Sequence, residues 1–367
     1  MMESEWPGNY LPSACRGCVI VHRSHPAIVG IFPVPEESGS ADDAFQWDPK
    51  SKVFTVVNAR RYPCFTYLTF LGTHVRDRNG QPFELGFTRS DEGVEEMAIT
   101  FVVVADPMTA VRLGKIEAAA LPSTGFFAIE LEQLQAPSVP AALHIKEDPE
   151  GYAFPLPDVS GPYLCTQGIG GHLTHFFPES YHAVDLRCAT HTPVLSIGDG
   201  IVKDIAQTHK CGGIHAANLA KWNSISVILE SGIIVEYLHT LAETARVEVG
   251  EEVRRGQVLC ESGDIGFAPE PHLHVELHSA ADPDGPSLPL HFGKQRFVPT
   301  AGRWYNSAGE AEAPQEAAPM PPPVLRLGGG GGIVSKSRRR LQRLERLRQR
   351  ARTGGARAAQ AVQRTGE

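Results

Sequence analysis

The sequence predicts an all-β protein with two folded domains and a basic tail. Glycine and proline account for 36 and 29 of the 367 residues, and they separate short runs rich in valine and isoleucine. This pattern is typical of strands joined by turns. Few segments long enough for a helix show an apolar period of about 3.6 residues. With 42% hydrophobic and 8% aromatic residues, the chain can bury a packed core.

Residues 1–135 are expected to form an N-terminal β-sandwich. Strand-like segments recur between residues 15 and 135, and Asn79-Gly80 is a favourable hairpin turn. The histidines of this region, His22, His25 and His74, are not grouped with acidic residues. A scaffold or binding role is therefore our interpretation of the N-terminal domain.

The remainder of the chain divides by composition. Residues 136–160 contain prolines at positions 137, 140, 149, 155 and 157, and they are interpreted as a linker. Residues 161–303 are rich in glycine and histidine and alternate paired strands with turns, which predicts a second β domain. Residues 304–367 begin with a low-complexity Pro/Ala and Gly stretch and are predicted to be disordered.

The net charge of −8 conceals a strong asymmetry between the globular part and the tail. From Lys336 to Glu367 there are 11 Arg and Lys against two Glu, giving +9, so the remainder carries −17. We interpret the tail as solvated. The alternative is a basic helix with Leu341, Leu344 and Leu347 along one side, contacting an acidic partner, nucleic acid or an anionic surface. No specific nucleic-acid partner is predicted.

The cysteine pattern and the N-terminus bear on localisation. Seven cysteines are scattered and odd in number, which predicts ordinary thiols rather than a disulfide framework or a zinc ribbon. The first residues lack a basic segment followed by an apolar run, and no stretch of about 18 apolar residues predicts a transmembrane segment. The expectation is a cytoplasmic protein by default, or one exported by a non-standard route.

The stretch from Pro271 to Leu277 carries the clearest chemical signal. Apolar Leu273 alternates with His272 and His274, which is the period of a strand. Side chains two apart on a strand leave the same face about 7 Å from each other, so both imidazoles can reach one ion or reacting atom. Alone, this pattern is more typical of a strand whose polar face is solvated.

A hydrolytic zinc site needs three nitrogen or oxygen ligands and one open position. Asp185 lies in a partly apolar segment, and His239 ends a strand. The candidate ligands and proton carriers of the second domain are His172, His175, His182, Asp185, His191, His209, His215, His239, His272, His274 and His278.

Five blocks of the second domain keep a recognisable order. They are QGIGGHLTH (167–175), YHAVDL (181–186), TPVLSIGDGIV (192–202), VEYLHTL (235–241) and the run from Val249 to Leu277 with its turn glycines and H-L-H. From about residue 163 to 295 the chain resembles the lysostaphin-type zinc metallopeptidases. The resemblance implies an antiparallel sheet or barrel-like peptidase domain that hydrolyses peptide cross-links of peptidoglycan.

The resemblance also implies roles for individual residues. His175, Asp185 and His274 would be ligands of Zn²⁺. His239 would act as general base, and His272 would donate a hydrogen bond to the developing oxyanion.

One departure from the family leaves the first ligand open. Many members place a histidine four residues before the aspartate, where this chain has Tyr181. His182 is one position away, and a one-residue slip turns a strand side chain to the other face. We favour His175 on the preceding strand over His182, because alternation points His182 away from the face of Asp185. His172 is the third choice.

The rival functions are weaker in sequence. A lipoyl or biotinyl carrier domain needs an exposed lysine at a tight turn, which is missing here. A sugar-phosphotransfer domain would use paired histidines without the Asp185 block. The remaining alternative is a degenerate peptidase domain without metal, acting as a binding or activating module.

The other histidines of the second domain are expected at the surface. His191 and His215 lie in turn or loop contexts, His209 is next to a lysine, and His278 is near a strand end.

Overall fold

The computed structural model describes residues 17–21, 25, 27–34, 45–48, 50–59, 64–72, 74–77, 79–114, 116–117, 128–130, 150–171 and 173–314. Within these ranges the secondary structure is almost entirely strand, so the all-β prediction is confirmed. Three short 3-10 helices interrupt it, at Asp158–Ser160, Pro178–Ser180 and Ala216–Ala220. No helix within these ranges is long and apolar enough to cross a membrane. Residues 315–367 of the predicted tail, His22 and His172 lie outside the described residues.

The N-terminal strands form two main sheets. They are β1 (Cys18–Val21), β2 (Ile28–Pro33), β3 (Phe45–Asp48), β4 (Val53–Asn58), β5 (Cys64–Leu71), β6 (His74–Val75), β7 (Gly86–Arg89), β8 (Glu95–Ala105), β9 (Thr109–Leu113), β10 (Ile116–Glu117) and β11 (Ala128–Glu130). One sheet has the order β11-β5-β8-β7 with β1 parallel to β8, and the other has the order β2-β9-β4-β3. β6 and β10 pair separately.

A shared apolar core joins these N-terminal strands. Phe54, Leu68, Phe101 and Val111, from four different strands of the two sheets, are all buried in one cluster. The sandwich assignment agrees with this burial but stays a prediction. At the expected hairpin turn, Gly80 has a φ of 83°, which a glycine adopts without steric cost.

The second group of strands is built around one large antiparallel sheet. The strands of this second group are β12 (Tyr163–Gln167), β13 (Val184–Arg187), β14 (Pro193–Leu195), β15 (Gly200–Ala206), β16 (Gly212–Gly213), β17 (Ser224–Leu229), β18 (Ile233–Leu238), β19 (Glu252–Val253), β20 (Val258–Glu261), β21 (His272–Ser279), β22 (Trp304–Asn306) and β23 (Gly309–Ala311). The nine-stranded sheet runs β19-β15-β17-β18-β21-β13-β12-β22-β23, and β14 pairs with β20. The strand predicted from H-L-H, β21, lies at its centre.

Both faces of β21 are buried. Leu273, Val275 and Leu277 point into the main apolar core of the sheet. The alternating histidines and glutamate occupy the opposite face, and they too are buried. A strand covered on both sides holds its side chains in fixed positions, as a metal or catalytic site requires.

Two boundaries differ from those expected from composition. Tyr152, Phe154 and Leu156 fall within the predicted linker, yet their side chains belong to the core of the nine-stranded sheet. Tyr305 falls within the predicted tail, yet it is buried in the same core on the hairpin of β22 and β23. Apolar alternation in these short segments outweighs the prolines and the small residues around them. The remaining domain boundaries stay a prediction.

The N-terminal sheet and the second group of strands are in direct contact. Phe65 and Tyr67 of β5 share a buried apolar cluster with Leu173, Ile214 and Phe267 from loops of the second group. The Tyr67 hydroxyl donates a hydrogen bond to the Leu173 carbonyl. In addition, β16 pairs with β7 and so extends the N-terminal sheet.

Candidate metal centre

Three side chains meet on the polar face of the central strands. Asp185 on β13 lies directly opposite His274 on β21. His175 reaches the same point from the turn after β12. The Asp185 Oδ1 lies 2.9 Å from His274 Nδ1 and 3.2 Å from His175 Nε2, and the two nitrogens are 3.2 Å apart. Strand pairing and one turn therefore bring together three groups that are up to 99 positions apart in the chain.

Hydrogen bonds fix which ring nitrogen of each histidine faces this cluster. The Nδ1–H of His175 donates to the Gly168 carbonyl at 2.9 Å, which leaves Nε2 with a free lone pair. His274 Nε2 lies 3.2 Å from Glu276 Oε2, and its Nδ1 lies 2.9 Å from Asp185 Oδ1, so Nδ1 is the nitrogen that faces the cluster. Metal-binding histidines in proteins characteristically donate their other N–H to a carbonyl or carboxylate in this way.

Gln167 fixes the third member. Its amide nitrogen donates to Asp185 Oδ2 at 2.8 Å, which leaves Oδ1 to face the two histidines. Its oxygen accepts the backbone N–H groups of Leu173 and Thr174, both at 3.0 Å, so it also holds the turn that carries His175.

The charge of Asp185 follows from its neighbours. Burial alone would raise the pKa of Asp185, but His175 and His272 bring that pKa well below its usual value. The carboxylate is therefore ionised at neutral pH, as a metal ligand must be.

Two more histidines border the cluster with a matching arrangement. The Nδ1–H of His239 donates to the Ile265 carbonyl at 2.6 Å, and that of His272 donates to the Glu270 carbonyl at 2.8 Å. Their ring centroids are 4.5 Å apart, and His272 Nε2 is 3.7 Å from Asp185 Oδ1. Each ring therefore keeps Nε2 available for proton transfer.

The electrostatics of these two histidines favour the neutral form. Burial lowers the pKa of His239 well below its usual value, and the nearby rings of His272 and His274 lower it further. Burial also lowers the pKa of His272, although Asp185 acts in the opposite direction. His239 also has a φ of 64°, an uncommon backbone conformation for a residue other than glycine.

The donor set fits a zinc ion. Ligand atoms at about 2.0–2.2 Å from a tetrahedral zinc lie roughly 3.3 Å from one another, close to the spacings between His175, Asp185 and His274. All three side chains are buried. Gly168 and Gln167 hydrogen-bond to His175 and Asp185, and Glu276 lies 3.2 Å from His274 Nε2 as an ion-pair partner. Two nitrogens and one carboxylate oxygen are ligands that zinc commonly takes.

Two other groups in the described ranges are placed less favourably for a metal. One consists of Asp91, His209 and Cys211. Its carboxylate already accepts the backbone N–H of Cys211 at 3.1 Å and pairs with the Lys221 ammonium at 3.2 Å.

The second group consists of Glu236, Glu276 and His278. Its central carboxylate already contacts His274 at 3.2 Å and His278 at 3.3 Å. The group therefore serves more directly as the hydrogen-bonding support of His274.

The competing histidines lie elsewhere. The Nδ1 of His182 is 2.8 Å from the Ser287 carbonyl, away from Asp185. His191 is an exposed partner of Glu261, at 2.6 Å. The expectation that His278 lies at the surface is wrong, because it is only 1% exposed on the covered polar face of β21.

Sequence reasoning missed the residues that orient the ligands. Glu276 lies two residues beyond His274 on the same strand, so the alternation that singled out His272 and His274 could have identified it. Gln167 opens the first of the five ordered blocks but carries no metal-ligand signal of its own. His239 is oriented by the backbone carbonyl of Ile265, and no side-chain pattern can predict such a contact.

Part of the chain is similar to known peptidases. Residues 179–286 match Peptidase family M23, so the chain contains an M23 peptidase domain, and the resemblance predicted for about residues 163–295 is confirmed. The glycyl-glycine endopeptidase ALE-1 of Staphylococcus capitis is 28% identical over 127 residues, covering 35% of this chain and 28% of that protein. The peptidoglycan DD-endopeptidase ShyA of Vibrio cholerae is 31% identical over 116 residues, covering 28% and 24%.

A solved structure of the lysostaphin catalytic domain from Staphylococcus simulans is 26% identical, with a TM-score of 0.23, over 36% of this chain and 81% of that chain. The chain spans about a quarter of the length of the two curated relatives, at 28% and 24%.

Proposed function

We propose that this protein is a zinc-dependent metalloendopeptidase that hydrolyses peptide bonds in peptidoglycan cross-links. The observation that carries the proposal is the buried cluster of His175 Nε2, Asp185 Oδ1 and His274 Nδ1, with spacings of 2.9 to 3.2 Å. Burial opposes the charged form of His274, but its contacts with Asp185 and Glu276 raise its pKa to about 10, so without a metal His274 Nδ1 shares a proton with Asp185. Two ring nitrogens and one carboxylate oxygen at this spacing are a donor set for zinc, and a bound zinc ion would displace that proton.

His175, Asp185 and His274 would hold the zinc ion. Two neutral histidines and one carboxylate leave a net charge of +1 at the site. When bound, zinc supplies Lewis acidity, polarising the scissile carbonyl and lowering the pKa of water to about 7.

The proton transfers belong to the two bordering histidines. His239 is neutral, and its Nε2 can accept the proton of the attacking water, since its Nδ1–H is committed to the Ile265 carbonyl. His272 can donate from Nε2 only as an imidazolium, because its Nδ1 proton is held by the Glu270 carbonyl. Burial disfavours that charged form, whereas Asp185, at 3.7 Å, and the negative charge that develops on the substrate oxygen favour it.

The substrate assignment draws on the relatives. One is named a glycyl-glycine endopeptidase and another a peptidoglycan DD-endopeptidase. Both names support a peptide substrate for this chain, and the second supports peptidoglycan as its source.

Zinc content and hydrolysis of the full chain test the proposal together. We expect about one zinc per chain, lost in His274→Ala and retained in His191→Ala, whose exposed imidazole serves as a matched control. His239→Ala and His272→Ala should keep zinc and release soluble fragments from purified peptidoglycan at least about 100-fold more slowly. Absence of zinc from the parent protein would instead favour the degenerate binding module, and parental rates in either variant would remove that histidine from the mechanism.

A further inference from the structure

The segment between β20 and β21 controls the orientation of His239. Its Ile265 carbonyl accepts the His239 Nδ1–H at 2.6 Å and thereby holds the proton on that nitrogen. If this carbonyl moved, the ring would rotate or its proton would move from Nδ1 to Nε2. The position of the segment therefore determines whether His239 Nε2 faces the cluster of His175, Asp185 and His274 with a free lone pair.

The N-terminal sheet holds this segment through its backbone. On one side, β16 pairs with β7. On the other side, Gly212 and Gly213 form bridges with Ile265 and Ala268. The Gly266 N–H donates to the Cys211 carbonyl at 2.9 Å, and the Ala268 N–H donates to the Gly213 carbonyl at 3.1 Å. Hydrogen bonding thus continues from the N-terminal sheet to the carbonyl that orients His239.

Two glycines make this close approach possible. A Cβ at Gly212 would lie 2.6 Å from the Asp264 carbonyl oxygen, closer than a side chain tolerates. Gly213 has a φ of 82°, and a Cβ there would overlap the Phe87 carbonyl oxygen. The Gly-Gly pair is therefore explained by packing between the two groups of strands.

A buried ion pair reinforces the backbone contacts. Arg89, at the end of β7, donates from its two terminal nitrogens to the two oxygens of Asp264, at 2.8 and 3.1 Å. Its Nε donates to the Lys210 carbonyl at 2.8 Å. The Arg89 and Asp264 side chains are only 12% and 5% exposed. A carboxylate so buried is costly without its cation, and a bidentate guanidinium fixes it in direction as well as in charge.

We infer that Arg89 of the N-terminal sheet is a positioning residue for His239, acting through Asp264 and the adjacent Ile265 carbonyl. The N-terminal region thereby contributes to the reaction without contacting substrate. The inference rests on the proposed function for the role of His239, but its structural step, the fixed tautomer of the ring, is measurable in a protein of any activity.

The test compares Arg89→Ala and Arg89→Lys with Arg112→Ala in the full chain. Arg112 lies exposed on β9 and contacts Phe32, so it matches Arg89 in type and in its N-terminal origin. We expect Arg89→Ala to keep zinc and KM but lower kcat about 10- to 100-fold, because small displacements of a catalytic group are costly. Arg89→Lys should recover part of kcat, since lysine restores the charge but not the bidentate geometry. Arg112→Ala should keep the parental kcat.

The ¹⁵N shifts of the His239 ring, assigned by their loss in His239→Gln, provide the second readout. The parent should show a single tautomer protonated at Nδ1, and Arg89→Ala should show a mixture. Parental shifts and parental kcat in folded Arg89→Ala would overturn the inference. An inactive, zinc-free parent would defeat the proposed function, while the tautomer comparison would still decide the role of Arg89.

Discussion

Each candidate ligand has a polar partner outside the cluster. The Gly168 carbonyl hydrogen-bonds to His175 Nδ1, the Gln167 amide to Asp185 Oδ2, and the Glu276 carboxylate lies 3.2 Å from His274 Nε2. A ligand whose partner is removed samples other orientations and tautomers, so the partners contribute to metal affinity, although less than the ligands themselves.

Glu276→Gln should weaken zinc binding by about 10- to 100-fold. The amide lacks the negative charge that attracts His274 Nε2 at 3.2 Å and so leaves the ring less firmly oriented. Competition with a chromophoric chelator measures the affinity, and the melting temperature in EDTA controls for folding. Parental zinc affinity in the variant would show that Glu276 does not orient His274.

The buried neutral histidines predict a stability that falls in mild acid. The pKa values of His239 and His272 are lowered in the folded protein, whereas unfolded histidine titrates at about 6.5. Below pH 6.5 the unfolded chain therefore binds protons that the folded chain does not. Each such histidine lowers the free energy of unfolding by up to about 1.4 kcal/mol per pH unit as the pH falls.

Two neighbouring groups also contribute to the pH dependence. Burial opposes the charged form of His274, but hydrogen bonds to Asp185 and Glu276 raise its pKa to about 10, so it adds a nearly constant stability below pH 6.5. Burial raises the pKa of Glu270 to about 7, so this carboxyl gains a proton on folding and partly offsets the loss in mild acid.

A variant separates the contribution of His239 from these other groups. Urea unfolding of the metal-free parent and of His239→Gln, each measured at pH 6.5, 6 and 5, gives the two pH dependences. The parent should lose more stability than the variant between pH 6.5 and 5, because the glutamine cannot bind a proton in the unfolded chain. Parallel pH dependences would contradict the neutral assignment of His239.

One face of the central strand β21 packs in the apolar core, and the other face carries the residues of the candidate site. Leu273, Val275 and Leu277 fill the apolar core, while the polar residues His272, His274 and Glu276 build the site. The two-residue period of the strand makes this division, and pairing with β13 places Asp185 opposite His274.

Leu273→Ala should therefore lower the folding stability and keep zinc binding, whereas Glu276→Gln should weaken zinc binding. Leu273 is fully buried, so its truncation should cost about 2–5 kcal/mol of folding free energy while the zinc stoichiometry of the folded protein is kept. Chemical denaturation and metal analysis of both variants check the division. A loss of zinc without a loss of stability in Leu273→Ala would show that the faces are not independent.

The N-terminal sheet and the second group of strands, β12 to β23, pack together as one folded unit. Tyr67 holds the Leu173 carbonyl near one wall of the site, and Arg89 holds the segment near the other. Their shared apolar cluster, which includes Phe65 and Ile214, would face solvent if either part were removed.

A fragment containing residues 150–314 should consequently be less stable than the full chain. Removing the N-terminal strands exposes Leu173, Phe176, Ile214 and Phe267, and each buried apolar side chain contributes about 1.5–3 kcal/mol. Thermal unfolding and binding of a hydrophobic dye compare the fragment with the full chain. A fragment with the parental melting temperature and no dye binding would show that the second group of strands is fully stable without the N-terminal strands.

The sequence alone was sufficient for the all-β class and for the polar face of β21, because strand alternation is a local property. The preference for His175 over His182 as the first ligand, which rests on strand alternation, stays a prediction. Glycine turns and block order were sufficient for the resemblance to the peptidase family, which the comparison over residues 179–286 confirms.

Only the tertiary structure decided how the site is supported. The contact of Arg89 with Asp264 joins residues 175 positions apart, and the orientation of His239 depends on a backbone carbonyl. Tyr152 and Tyr305 joined the core although their surroundings resembled a linker and a tail. Long-range pairing and burial depend on which segments meet in three dimensions, and local residue patterns do not contain that information.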